Sequence, residues 1–383
     1  MDSARSGIAP AGDTDRRKSI ALALCGDVML GRGIDQILPH PGAPNIYETY
    51  ARSARDYVEL AERASGPIVR PATFDYVWGD ALAVLNRTPP DVRIINLETS
   101  VTRRGRPWPK GINYRMSPDN IGCLASAHID CCVLANNHVL DWGREGLLET
   151  LSVLRAAGLH IAGAGETQTE AAMPAVMVLP GKGRVLVFAF ASETSGVPPD
   201  WTAVGAQPGV NIVPDLRPQT AARLARDARA VRRVGDVLVA SIHWGLNWGY
   251  RVPGQFRDFA HALVDGGFDL IHGHSSHHPQ GFELYSQRLI LYGCGDFLND
   301  YEGIRGFEEY RPDLVLLYLP SLCPACGKLL GLDLRPFRLT QFRLNSAPAE
   351  DVAWLQERLG RECTCEGSRI TLEGDGILHV RWN

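Results

Sequence analysis

Apolar runs of strand length recur along the chain, and each stops at a glycine or a reactive side chain. Ser19–Cys25 gives way to Gly26-Asp27, Val92–Leu97 to Glu98, and Ile129–Ala135 to Asn136-Asn137-His138. Val237–Ile242 runs into His243-Trp244-Gly245, and Phe268–Ile271 into His272-Gly273-His274-Ser275-Ser276-His277-His278. Short apolar runs bounded by glycine read as buried strands, and Arg184–Phe190 and Arg288–Tyr292 read the same way. Helical periodicity lies between them: Phe74 to Asn86, stopped by Pro89-Pro90; a segment with Leu147, Leu148, Leu151 and Leu154, closed by Gly158; Gln219–Val234, whose basic positions make a solvated face; and Gln255–Asp265. Strands alternating with helices predict an α/β fold. Such folds collect ligands at the carboxyl ends of their strands, where all these reactive side chains fall.

Outside this alternation three segments differ. Residues 1–18 are polar and read as a flexible tail. Residues from about 35 to 72 are first rich in Pro, Gly and Tyr and then helical, which predicts an excursion over the sheet edge and a candidate lid. From about 312 onward, strands surround one helix at Ala349–Leu359, predicting a second sheet that completes one domain over 19–383. No linker or internal repeat interrupts it.

Composition narrows the classes. The chain has 383 residues, 45% hydrophobic and 21% charged, with a net charge of −4. That balance is ordinary for a globular protein and gives no overall reason to expect nucleic acid. The apolar run Ile20–Cys25 is too short to span a membrane. Cys131-Cys132, inside an apolar strand, suits reduced buried thiols and a cytoplasmic location. Cys323, Cys326, Cys363 and Cys365 offer four thiolates for zinc, but the one-residue gap in the second pair and the strand-like stretch between favour separate thiols.

The candidate chemistry is that of a metal site. Four of the 11 histidines, His272, His274, His277 and His278, fall within seven residues beside glycine, and neutral imidazole is a common ligand for zinc-like ions. Asp27, between glycines, can hold a divalent cation or cap a helix, and Glu98 adds a second carboxylate. Asn137 offers a carbonyl ligand and His138 an acid/base imidazole that Asp141 can orient. The glycines around Asp27 lack a Gly-Lys-Ser/Thr ending, which excludes a Walker loop. Thr102–Arg115 carries Arg103, Arg104, Arg106, Lys110 and Arg115; it is either a port for an acidic substrate or a solvated loop. Arg32, Lys110 and Arg115 are the candidate substrate-binding cations.

Taken together, Asp27, Glu98, Asn137-His138, His243 and Gly273-His274-x-x-His277 follow the order of the metal-binding blocks of calcineurin-like metallophosphoesterases. Gly26-Asp-Val-Met-Leu-Gly, Asn96-Leu-Glu-Thr, Asn136-Asn-His-x-x-Asp-Trp-Gly, Ile242-His-Trp-Gly and Tyr292-Gly-Cys-Gly-Asp-Phe resemble more closely the CapA, or poly-γ-glutamate capsule biosynthesis, branch. The resemblance implies a four-layer α/β/β/α sandwich of two mixed sheets. It implies one or two divalent ions (Mn, Zn, Fe or Mg), with Asp27 and His277 on one, Glu98 bridging, and Asn137, His243 and His274 on the other. His138 would be the acid/base group. His272 and His278 would stand behind the ligands, although His278 competes with His277 for the metal. Two departures stand out: Met29 sits where the superfamily has His, and Glu98 where it has Asp. The function implied is a metal-dependent hydrolase or acyl-transfer enzyme acting on an anionic substrate such as poly-γ-glutamate or a γ-glutamyl amide. Alternatives are a phosphoesterase using the same site and a non-catalytic polymer- or partner-binding component of capsule assembly. The sequence leaves the oligomeric state open.

Overall fold

Side chains of a strand alternate between faces, and in Asp236–His243 the alternation sorts two cores. Val237 and Val239 join one hydrophobic cluster, while Leu238, Ala240 and Ile242 join another. Ser241 and His243 therefore continue the Val237 face. In Leu270–His274 the same parity puts Leu270 in the first cluster and Ile271 in the second, so His272 and His274 share the face of Leu270.

In the computed structural model, which describes residues 19–363, 369–374 and 376–382, these strands belong to a six-stranded mixed sheet. The tail predicted over 1–18 and the residue Cys365 lie outside the described residues. The sheet runs Phe282–Tyr285, Arg288–Leu291, Leu270–His274, Asp236–His243, Gly183–Ala191, Ala175–Leu179. Its second-cluster face is covered by the helices Pro218–Val231 and Gly254–Asp265, the latter burying Phe256, Phe259, Leu263 and Val264. Burying each such side chain contributes roughly 1.5–3 kcal/mol.

Its other face packs on a ten-stranded sheet whose centre is Ile20–Val28. Val92–Leu97, Cys131–Val133 and His160–Ala162 follow on one side, all parallel. Buried side chains of the helices Asp80–Arg87 and Gly143–Ala156 belong to the cluster around this sheet. The result is the four-layer α/β/β/α sandwich of two mixed sheets. Cys131 and Cys132 are buried and form no disulfide.

The C-terminal strands depart from expectation. They do not make a second sheet: Leu314–Leu322 pairs antiparallel with Ile20–Val28 and carries Leu329–Thr340 behind it, so they extend the first sheet. Ile20–Val28 is paired along both edges and, apart from half-buried Ala21, buried, as its continuous apolar run announces. The helix predicted over Phe74–Asn86 is a short turn, Tyr76–Trp78, and a separate helix, Asp80–Arg87, divided at Gly79. Gly79 has φ +44°, and a Cβ there would lie 2.2 Å from the Leu344 carbonyl oxygen. No helix among the described residues is long and apolar enough to cross a membrane.

Candidate metal centre and its cavity

Two facts of backbone packing bring the first carboxylates together. Asp27 is the register partner of Asp296 in the parallel strand Asp296–Leu298, and its N–H donates to the Gly295 carbonyl at 3.0 Å. That approach requires Gly26, since a Cβ there would fall 1.7 Å from the Gly295 oxygen. Glu98 arrives on the next parallel strand, its N–H bonded to the Val28 carbonyl. Asn96 and Asn136 fix this edge: Asn136 donates to Asn96 Oδ1 at 3.0 Å, and Asn96 donates to Asp27 Oδ1 at 2.7 Å.

The second sheet supplies the imidazoles. His243 and His274 are register partners, with Nδ1 atoms 2.8 Å apart, and His274 Nδ1 lies 3.8 Å from Asp27 Oδ1. His243 Nε2 lies 3.2 Å from Asn137 Oδ1 and 3.7 Å from Glu98 Oε1. Behind them, Ser241 Oγ sits 3.0 Å from both His274 Nε2 and His272 Nδ1, and His272 Nε2 donates to the Cys25 carbonyl at 2.8 Å. This chain leaves His274 Nδ1 directed at Asp27, which is how outer partners orient a ligand imidazole.

After His274 the chain turns through Ser275 at φ +106°, a strained value for serine, and brings His277 back toward Asp27. His277 Nδ1 is 2.9 Å from Asp296 Oδ1, and Asn299 donates to Asp296 Oδ2 at 2.8 Å. His278 is directed elsewhere: Gly249 N–H donates to its Nε2 at 3.1 Å, and its ring packs among Trp248, Tyr250 and Tyr310. His277, not His278, therefore stands at the centre.

Two overlapping donor groups result, Asp27 with His243 and His274, and Asp27 with His277 and Asp296, each with its atoms within 4.8 Å. Asp296 was given no role by sequence reasoning, although the Gly-Cys-Gly-Asp-Phe block containing it was noted. It stands with His277 beside Asp27, and the Met29 sulfur accepts from Gly31 N–H at 3.2 Å. The residues fit a cation. Asp27 Oδ2 is buried without a hydrogen-bond partner. Burial and the neighbouring Asp296 push Asp27 up to about 7, and burial with Asp27 and Asp296 pushes Glu98 well above the usual carboxylate range. Crowded buried carboxylates of this kind are relieved by a metal ion or by protons.

Next to these donors stands His138, its Nδ1 2.7 Å from Asp141 Oδ2. Asp141 is fully buried, its Oδ2 also accepts from Tyr114 N–H at 2.6 Å, and its Oδ1 is ion-paired with Lys110 Nζ at 2.6 Å. Lys110 Nζ further donates to the Asn137 carbonyl. With Nδ1–H donating to Asp141, Nε2 is the acceptor nitrogen of His138; Lys110 Nζ lies 3.2 Å from the same Nδ1. Burial, followed by the charge of Lys110, holds this imidazole well below its usual value.

A cavity of about 800 Å³ is lined by Glu98, Asn137, His138, His277, Lys110 and Tyr301 among others, with Asp27, His243, His274 and Asp296 buried outside its lining. The candidate substrate cations are distributed unevenly around it. Arg32 lines it but is buried, with side-chain nitrogens on Glu48 at 2.8 Å and on both oxygens of Asp300. Removing one partner of such a buried pair costs roughly 3–5 kcal/mol, so its charge is committed to the fold; Glu48 also ties in the predicted excursion. Arg115 is not brought to this cavity: its guanidinium lies 3.7 Å over the Trp142 ring. Arg103 pairs with Asp119, and Arg104 lies 3.9 Å from Glu149. Of the five cations of the basic segment, Lys110 alone is among the lining residues. Among the described residues, Cys323, Cys326 and Cys363 form no metal-sized group.

A carboxylate–imidazole centre where two sheets end, beside a histidine–aspartate pair, defines a candidate metal-dependent site. The profile of the bacterial capsule synthesis protein PGA_cap family matches residues 21–301, and the chain belongs to that family. A probable polyglutamine synthesis accessory protein of Mycobacterium tuberculosis is 45% identical over 364 residues, 94% of this chain and 96% of its own length. The capsule biosynthesis protein CapA of Bacillus anthracis is 24% identical over 298 residues, 76% of this chain and 62% of its own. The PGA biosynthesis protein CapA of Bacillus subtilis is 25% identical over 315 residues, 78% and 67% of the two chains.

Proposed function

We propose that this protein is a metal-dependent hydrolase that cleaves a γ-glutamyl amide bond, in poly-γ-glutamate or a related compound. The observation that carries the reading is Asp27, shared by two donor groups and with a buried, unpartnered Oδ2, together with an Asp141-backed His138 that lines the cavity with Glu98, Asn137 and His277. The names of the relatives support the substrate class. Asp27, His277 and Asp296 would hold one divalent ion, and Asp27, Glu98, Asn137, His243 and His274 a second; mixed imidazole and carboxylate donors suit Mn, Fe or Zn better than Mg. Bound there, such ions polarise a carbonyl and make a water molecule acidic near neutrality.

The protein's own residues do the rest. His138 Nε2 takes the water proton and returns it to the departing nitrogen, while Asp141 keeps Nδ1–H in place. Lys110, Arg32 and Arg311, the cations lining the cavity, are all paired with internal carboxylates. Their charges are therefore committed to protein carboxylates rather than free for the substrate's own negative group.

Elemental analysis of the purified protein, followed by assays on γ-glutamyl anilide and on a phosphodiester with and without Mn²⁺, tests this. About two equivalents of metal with Mn²⁺-dependent anilide cleavage is the expected result. Phosphodiester turnover alone would replace the amide reading with a phosphoesterase, and absence of both metal and turnover would leave a binding component. Arg115→Ala is expected to keep KM within about twofold of wild type, because uniform binding is lost only with a contact to substrate. A KM raised tenfold would return Arg115 to the site.

A further inference from the structure

The hydroxyls of Tyr114 and Tyr301 meet at 2.5 Å on the wall of the cavity. Each ring lies against one half of the machinery. Tyr114 stacks on His138 with centroids 3.8 Å apart and planes 19° from parallel, and Tyr301 packs edge-on to His277 at 5.3 Å. Their backbones are anchored to the same halves. Tyr114 N–H donates to Asp141, and Tyr301 N–H donates to Asn299, whose side chain holds Asp296. The guanidinium of Arg32 lies 4.7 Å from the Tyr114 ring and 5.7 Å from the Tyr301 ring, fixed there by Asp300 and Glu48.

Counting protons shows what this pair has left to give. A phenol at neutral pH carries one O–H donor and can also accept. When one hydroxyl donates to the other, one proton is used and one remains. Among the described residues no protein acceptor takes the remaining proton of either hydroxyl. A donor without a partner, rigidly held between an acid/base histidine and the metal-ligand side of a cavity, is preorganised for charge that develops only during reaction.

We propose that the Tyr114–Tyr301 hydroxyl pair is a catalytic hydrogen-bond donor to the oxygen that becomes negative during bond cleavage. The assignment rests on the hydrolase reading above and adds residues to it. In the step, the oxygen of water bonds to the carbonyl carbon and the C=O electron pair moves onto oxygen, where the tyrosine pair donates its free O–H. A water proton passes by way of His138 to the nitrogen as the C–N bond breaks and the carbonyl re-forms. The tyrosines keep their protons throughout, and no oxidant or further reactant is needed. For a phosphoester the same donor faces a phosphoryl oxygen.

The test uses the metal-loaded protein with Tyr114→Phe, Tyr301→Phe and the double variant, which keep the rings and their stacking. Metal content is expected to be unchanged, KM to stay within about twofold, and kcat of the worse single variant to fall roughly 100- to 1,000-fold, as for loss of one oxyanion donor. The double variant should fall no further than the worse single, because the pair acts as a unit. Equilibrium binding of a γ-glutamyl phosphinate, a tetrahedral oxyanion, should weaken by a similar factor in that single variant. Single variants with kcat within threefold of wild type and unweakened phosphinate binding overturn the assignment. Absence of turnover by the wild-type protein would instead count against the hydrolase reading, and phosphinate binding then decides the pair by itself.

Discussion

Asp27→Asn is expected to leave the protein folded and unable to hold a metal ion. The side chain is shared by both donor groups, so a single change of charge addresses both. Asparagine keeps the shape, and its carbonyl oxygen can still accept from Asn96 as Asp27 Oδ1 does at 2.7 Å. Without metal, the native carboxylate is itself a burden: it is buried beside Asp296 and Glu98, and burial with Asp296 already pushes it up to about 7. Neutralising it relieves that repulsion, so the metal-free variant should melt no lower than the metal-free wild type. The difference appears on adding Mn²⁺. A metal at a hundredfold excess over Kd stabilises the folded state by about 2.7 kcal/mol, which raises the Tm of the wild type by several degrees. The variant's Tm should not move, its metal content should fall below about a tenth of an equivalent, and turnover should be lost. A variant that still takes up two equivalents would remove Asp27 from the ligand set and with it the reading of the site.

The sequence revealed the parts of this centre that lie at strand ends and hid those that depend on distant pairing. Asp27, Glu98, Asn137, His243 and His274 each fall at or just past the carboxyl end of an apolar run, so local pattern alone places them at one edge. Parity then explains His272: two residues before His274 it must share that face, and Ser241 links the two rings. Asp296 could not be found this way. It follows a glycine turn, not an apolar run, and reaches the site only because its strand pairs in parallel with one some 270 residues earlier. The choice between His277 and His278 was equally hidden, since it turns on the positive φ of Ser275.

Charge counting misled for a related reason. Five cations in Thr102–Arg115 look like a port, but a count carries no direction, and Asp119, Glu149 and Trp142 claim Arg103, Arg104 and Arg115 from other segments. Arg32 is a sharper case. In sequence it is a cation in a glycine turn; in the fold it is a buried centre joining Glu48, Tyr57 and Asp300, with φ +44°. A buried guanidinium persists only where carboxylates meet it, and those partners are 16 and 268 residues away. The same committed charge fixes Tyr114 and Tyr301 at the cavity wall, so a residue expected to bind substrate is placed to shape what does.

His138→Ala carries the second large effect and separates chemistry from metal binding. Its ring lies within the cavity wall, but neither donor group around Asp27 includes it, and its Nδ1 is occupied by Asp141 at 2.7 Å. Removing the imidazole therefore leaves the metal ligands in place. Asp141 is not stranded by the change, because Lys110 still reaches it at 2.6 Å and Tyr114 N–H still donates to it. The loss should fall on proton transfer alone: kcat lower by about 100- to 10,000-fold, with KM and metal content near wild type. Adding imidazole to the buffer should restore part of the rate, since the vacated space opens onto the cavity and an Asp141 oxygen remains there to orient the guest. A variant that turns over at the wild-type rate would take His138 out of the mechanism. Loss of metal together with activity would show instead that this imidazole holds the centre together, and the acid/base role would then have to be sought among the remaining groups that face the cavity.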